Sequence, residues 1–104
     1  MLKRRFEILL PLTHNDGRAV DDEKHQQTRE ELIVRFGATS LSSGITHGVW
    51  THEGTRYEDM SRLLIVDVDD RKKNERFFER WKLQLRARFE QIEIYIISFA
   101  IKVH

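Results

Sequence analysis

The sequence predicts an α+β domain in which one antiparallel sheet of four strands carries two helices on one face. Three observations carry this reading. Phe6, Ile8, Leu10 and Leu12 alternate with Glu7, Leu9 and Pro11, the period-2 pattern of a strand. Leu63-Leu64-Ile65-Val66 is apolar on both faces, as a central strand must be. Phe77, Trp81, Leu85 and Phe89 recur every four residues beside Phe78, which makes the strongest amphipathic helix in the chain.

The elements follow in order. The first strand stops at Pro11, because proline lacks the N–H that a ladder needs. His14-Asn15-Asp16-Gly17 is a cluster of turn formers, and Asp21-Asp22-Glu23 puts acids where a helix N-terminus favours them. A helix over 21–36 fits, closed by Gly37 and carrying a thin apolar stripe of Thr28, Leu32, Ile33 and Phe36. Residues 38–44 read as a small-residue loop. Strands over 45–52 and 56–68 meet at Glu53-Gly54, a two-residue turn. Asn74 is the expected N-cap of the second helix, which runs to about Glu90. A fourth strand covers 92–103, with Tyr95, Ile97, Phe99, Ile101 and Val103 on one face.

This β-α-β-β-α-β order is the split βαβ, or ferredoxin-like, arrangement; right-handed crossovers put strands one and three in the middle. With 104 residues the chain fits one domain spanning 1–104. The sheet face without helices would expose the apolar side of the fourth strand. A homodimer formed along that strand or through that open face is the expected remedy.

Composition narrows function mostly by exclusion. With no cysteine there is no disulfide, thiolate metal site or cysteine nucleophile. No stretch approaches the ~20 apolar residues of a membrane span, and residues 8–12 are too short for an export signal, so the expected location is the cytoplasm. Net charge is +1, yet residues 1–70 hold 9 basic against 13 acidic groups and residues 71–90 hold 8 against 3. The second helix is therefore locally basic.

Several short segments, in order, resemble an uncharacterised family of small bacterial proteins described only as a ferredoxin-like domain of unknown function. They are Asn15-Asp16-Gly17 with Val20, Arg35-Phe36, Gly44-Ile45-Thr46, Trp50, Tyr57-Glu58 with Ser61, and Arg88-Phe89 with Gln91. The chain has Glu90 where that family usually has glycine. The resemblance implies the fold and adds no activity.

The surface richest in chemistry is the hairpin between strands two and three. A two-residue turn at Glu53-Gly54 sets Trp50 opposite Tyr57 and Thr51 opposite Arg56, with Gly48, Trp50, His52, Tyr57 and Asp59 on one face. A glycine beside an aromatic pair leaves a recess for a flat ligand, although such pairs commonly only pack an edge. The candidate ligand-binding residues are Trp50, His52, Tyr57 and Glu58; either Glu58 or Asp59 could orient His52 as an acid/base. His47 and His52 are five apart, so a regular strand sends them to opposite faces and no metal site is expected. The loop at His14 and Asp16 has one glycine and no Walker-type lysine, so no phosphate loop is present, and no cofactor is expected.

The first reading is thus a non-enzymatic homodimeric interaction or small-ligand-binding module. A small dimeric enzyme with its pocket at the hairpin comes second. A nucleic-acid-contacting protein or nuclease using Arg71, Lys72, Lys73, Arg76 and Arg80 comes third. Glu75 and Glu79 interleave these bases, which suits a solvated face. RNA-binding versions of this architecture stack bases on central-strand aromatics, where this chain has Leu, Ile and Val. Titration with DNA and RNA at about 50 and 200 mM salt should show little or no binding. Submicromolar, salt-sensitive binding lost in an Arg71/Lys72/Lys73 triple-alanine variant would promote the third reading.

Overall fold

The computed structural model describes residues 2–104. Strand β1 (Leu2–Pro11) leads to helix α1 (Asp22–Phe36), then β2 (Ser40–Leu41), β3 (Thr46–His52), β4 (Thr55–Asp69), helix α2 (Lys72–Arg88) and β5 (Ile96–Lys102). The sheet is antiparallel in the order β2-β4-β1-β5, with β3 also pairing β4. β1 and β4 are therefore central, as the sequence predicts. The second strand differs: it is split, Ser40–Leu41 pairing Leu64 and Ile65, and Thr46–His52 pairing residues 55–61. Residues 38–44 are thus not wholly loop, because the long β4 offers edge groups there that Ser40 and Leu41 satisfy.

Period 2 on β1 and β4 sends Phe6, Ile8, Leu10, Leu64, Val66 and Val68 to the helix side, where all are buried. α2 lays Phe78, Trp81 and Leu85 on them, with Phe89 just past its end. Phe78 stacks on Phe6 with ring centres 3.8 Å apart and meets Trp81 edge-on at 5.8 Å. α1 contributes Thr28 and Leu32, whereas Ile33 is exposed; buried His25, absent from the sequence stripe, meets the Phe89 ring at 5.3 Å. α1 ends as expected at Gly37, whose left-handed φ of 87° lets its N–H reach the Ile33 carbonyl.

One polar network joins the helices. The Trp81 indole donates to Glu31 at 2.8 Å, and Arg88 donates to Glu31 at 2.7 Å and to the Thr28 hydroxyl at 2.9 Å. Burial works to raise the Glu31 pKa, but these donors and the Arg88 charge outweigh it and hold the carboxyl below its ordinary range.

Two further boundaries differ from the sequence reading. α2 starts at Lys72, with Arg71 in the cap position. Asn74 lies inside its first turn, buried, and donates at 2.8 Å to the Asp69 carbonyl, tying the helix to the end of β4. β5 starts at Ile96 rather than 92. Glu90 takes a left-handed φ of 53°, the Gln91 N–H turns back to the Arg86 carbonyl at 2.9 Å, and the Ile94 N–H is taken by the Glu93 carboxylate at 3.0 Å. Such side-chain competition for backbone groups prevents a ladder until Tyr95, whose carbonyl accepts from Leu9 at 3.0 Å.

Two predictions follow from this packing. Trp81→Ala should cost about 3–5 kcal/mol in chemical denaturation, because the side chain is enclosed on every side, and Trp50→Ala should cost much less. Burial pushes His25 below its ordinary value, with a bond to the Pro11 carbonyl opposing. A depressed folded pKa gives stability that is complete above the unfolded value of ~6.5 and is lost as pH falls through the folded one. Stability should therefore decline as pH drops from neutral toward 5, and His25→Gln should flatten that decline. An equal slope in both proteins would show that His25 is not its source.

Candidate functional site

The β3–β4 hairpin turns on Glu53 and Gly54, both at positive φ (50° and 79°), as a primed two-residue turn requires. That turn fixes the register: Trp50 faces Tyr57, Thr51 faces Arg56, and Gly48 faces Asp59. Trp50 and Tyr57 stack with ring centres 4.6 Å apart, and the Trp50 indole N–H donates to the Asp59 carboxylate. The indole is thereby held from its face by Tyr57 and from its edge by Asp59.

In front of this pair, on the sheet face that carries no helix, lies a recess of about 350 Å³. Trp50 and Gly48 of β3 with Asp59 and Ser61 of β4 form one wall, Leu9 and Pro11 of β1 the floor, and Gln91, Glu93, Ile94 and Tyr95 the other wall. A Cβ added at Gly48 would meet no atom within 4 Å, so the glycine leaves space that any other residue would begin to fill.

The recess carries two acids and no base. Glu93 is partly neutralised: Lys82 approaches it at 2.9 Å. Burial works to raise its pKa, but the bonds from Lys82 and the Ile94 backbone, with the Lys82 and Arg86 charges, keep it below the ordinary range. Asp59 forms no ion pair within 4 Å among the described residues. Its carboxylate is held by the neutral indole alone.

Of the four candidate residues, Trp50 lines the recess, and Tyr57 backs it without reaching the opening. His52 stands further along the strand, its ring 6.1 Å from that of Trp50 and its Nε2 3.9 Å from Glu53. Glu58 faces Val49 on the opposite side of the hairpin, away from the recess and from His52. Alternation alone assigns Glu58 to that side. Among the described residues no group of three His, Cys, Asp or Glu side chains is placed to hold a metal. The wall at 91–95 escapes sequence reasoning because Ile92, Ile94 and Ile96 imitate a strand.

Arg71, at the cap position, and Lys72, Lys73, Arg76 and Arg80 of α2 are all exposed, and α2 packs on the sheet face opposite the recess. The bases of α2 that do pair are Lys82 with Glu93 and Arg88 with Glu31; Glu75 and Glu79 enter no ion pair among the described residues. No helix described is long and apolar enough to cross a membrane.

No family model and no curated protein matches the chain. A solved structure described as a phage SAM lyase in complex with S-methyl-5'-thioadenosine superposes with a TM-score of 0.71 over 97% of this chain and 90% of that one, at 14% identity. The chain therefore shares its α+β fold with that lyase.

Proposed function

We propose that this domain binds a flat, cationic ligand of the adenosyl-sulfonium kind in the recess beside Trp50. The observation that carries the reading is the pairing of a fixed indole with an acid, Asp59, that forms no ion pair among the described residues. A recess of about 350 Å³ suits a small molecule, and a mostly apolar wall with a few polar groups is the usual make-up of such sites. Aromatic faces attract both planar bases and onium cations, and an acidic rim favours a cation over a phosphate. Ser61 and Gln91 add a hydroxyl and an amide for the edge of a base. The S-methyl-5'-thioadenosine bound in the structural neighbour carries the same adenosyl group on a neutral thioether sulfur, and so supports the adenosyl part of the choice.

Lyase action on SAM at the same recess is the second reading, favoured by the activity of that neighbour. It differs from simple binding in breaking the bond from the sulfonium sulfur to the amino-acid chain. Sulfur keeps the electron pair and leaves as S-methyl-5'-thioadenosine, which chromatography detects. The four-carbon fragment is completed by loss of a proton or by closure onto its own carboxylate, with no other reactant.

Calorimetric titration with SAM and with S-methyl-5'-thioadenosine tests the proposal. Gly48→Val, whose Cβ meets no atom within 4 Å, should leave the fold intact, as circular dichroism checks, and weaken both ligands by roughly tenfold or more, equivalent to ~1.4 kcal/mol. Asp59→Asn keeps an acceptor for the indole but loses the charge, so it should weaken SAM and spare the neutral thioether. Absence of binding by wild-type protein, or binding indifferent to Gly48→Val, would overturn the reading.

A further inference from the structure

The sheet has two unlike edges. One is broken: β2 and β3 lie on it as separate segments, and β3 carries His47, Thr51 and His52. The other is β5, Ile96–Lys102, seven residues with no proline and a single charge, Lys102, at its end. Natural edge strands are usually guarded by charge, proline, bulges or a covering element. β5 has none of these along Ile96 to Ile101, and Ser98 and Ala100, which point to the helix side, are as exposed as its open-face residues.

The backbone phase of this edge follows from its partner. The Leu9 N–H donates to the Tyr95 carbonyl, so Tyr95 points its polar backbone groups toward β1. In an antiparallel ladder the direction alternates, so Ile97, Phe99 and Ile101 also point inward, and Ile96, Ser98, Ala100 and Lys102 turn theirs to the free side. A second copy of the strand, related by a two-fold axis through Phe99, meets those groups in phase. Ser98 and Ala100 then exchange bonds with Ala100 and Ser98 of the other copy, and Ile96 with Lys102.

The side chains match in the same register. Phe99 faces Phe99 across a non-hydrogen-bonded position, where side chains approach closest, and Ile97 faces Ile101 on either side. On the open face of the single chain Ile97 is exposed by 37% and Phe99 by 42%, and Ile101 is half-buried. The smallest side chains, Ser98 and Ala100, meet on the helix face. No like charges are opposed anywhere along the pairing.

We infer that β5 pairs with β5 of a second copy of this chain, antiparallel and centred on Phe99, joining two sheets into one. This interaction surface lies beyond the recess and does not depend on its ligand.

The chain has no cysteine, so cysteines introduced singly report the register without interference. Antiparallel neighbours have Cα atoms about 4.5–5.5 Å apart, within disulfide reach. Light scattering at micromolar concentration should give twice 12.5 kDa. Under mild oxidation Phe99→Cys should cross-link to itself, whereas Ile97→Cys and Ile101→Cys should cross-link only when mixed. Phe99→Lys should be a folded monomer by circular dichroism. A wild-type mass of 12.5 kDa would overturn the inference, and so would a dimer in which neither Phe99→Cys nor the mixed pair forms the bridge. The mixed pair keeps the test decisive if Phe99→Cys folds poorly.

Discussion

Covering a sheet with helices on one face alone is the constraint on which the rest of this molecule depends. The central apolar side chains of β1 and β4 that point to the helices, Phe6, Ile8, Leu10, Leu64, Val66 and Val68, are buried, and Phe6, Phe78 and Trp81 form their aromatic centre. The residues between them must then occupy a face that no helix reaches. At the β1 N-terminal end that face is made polar by cross-strand ion pairs, Lys3 with Asp69 at 3.2 Å and Arg5 with Asp67 at 2.8 Å. At the other end Leu9, Pro11 and Tyr95 leave it apolar. Exposed ion pairs add little stability, so their role there is to make a bare sheet face compatible with water.

The recess arises at the apolar end because two segments rise beside the sheet without closing over it. One is the β3–β4 hairpin, whose tight turn fixes which residues share a face. The other is the 91–95 segment, held down by Ile94 in the core and by Glu93 on Lys82. Trp50 gains its fixed position from neighbours that are themselves constrained, Tyr57 across the ladder and Asp59 two residues further along the same strand. Side chains ordered before a ligand arrives lose less freedom when it binds, which is how a small recess can have useful affinity. The network at Glu31, Arg88 and Trp81 plays the matching part on the other face, fixing α2 against α1 at its C-terminal end, from which the 91–95 wall departs.

The left-handed residue Glu90 shows how a single backbone choice propagates. A non-glycine residue at φ 53° is uncommon, and its position directly after α2 turns the chain before a strand can begin. Its carboxylate lies 3.4 Å from buried His14 and 3.7 Å from Lys24, so the turn is also tied to the β1–α1 loop and to α1. Gln91, buried immediately after it, then enters the recess wall.

Local periodicity and turn chemistry by themselves determined most of the architecture. The alternation of β1, the four-residue spacing of Phe77, Trp81, Leu85 and Phe89, and the Glu53-Gly54 turn each act over a few residues. They hold whatever the remainder of the chain does, so the fold class, the helix faces and the Trp50–Tyr57 register were legible. What depended on distant groups was not. The gap between Ser40–Leu41 and Thr46–His52 reflects the length of β4, and the place of Asn74 reflects the Asp69 carbonyl it reaches. The departure of 91–95 from a strand reflects Lys82, Arg86 and the core site filled by Ile94. The recess joins residues of β1, β3, β4 and the α2–β5 connection, and only tertiary packing decides whether surfaces so far apart in sequence leave space between them.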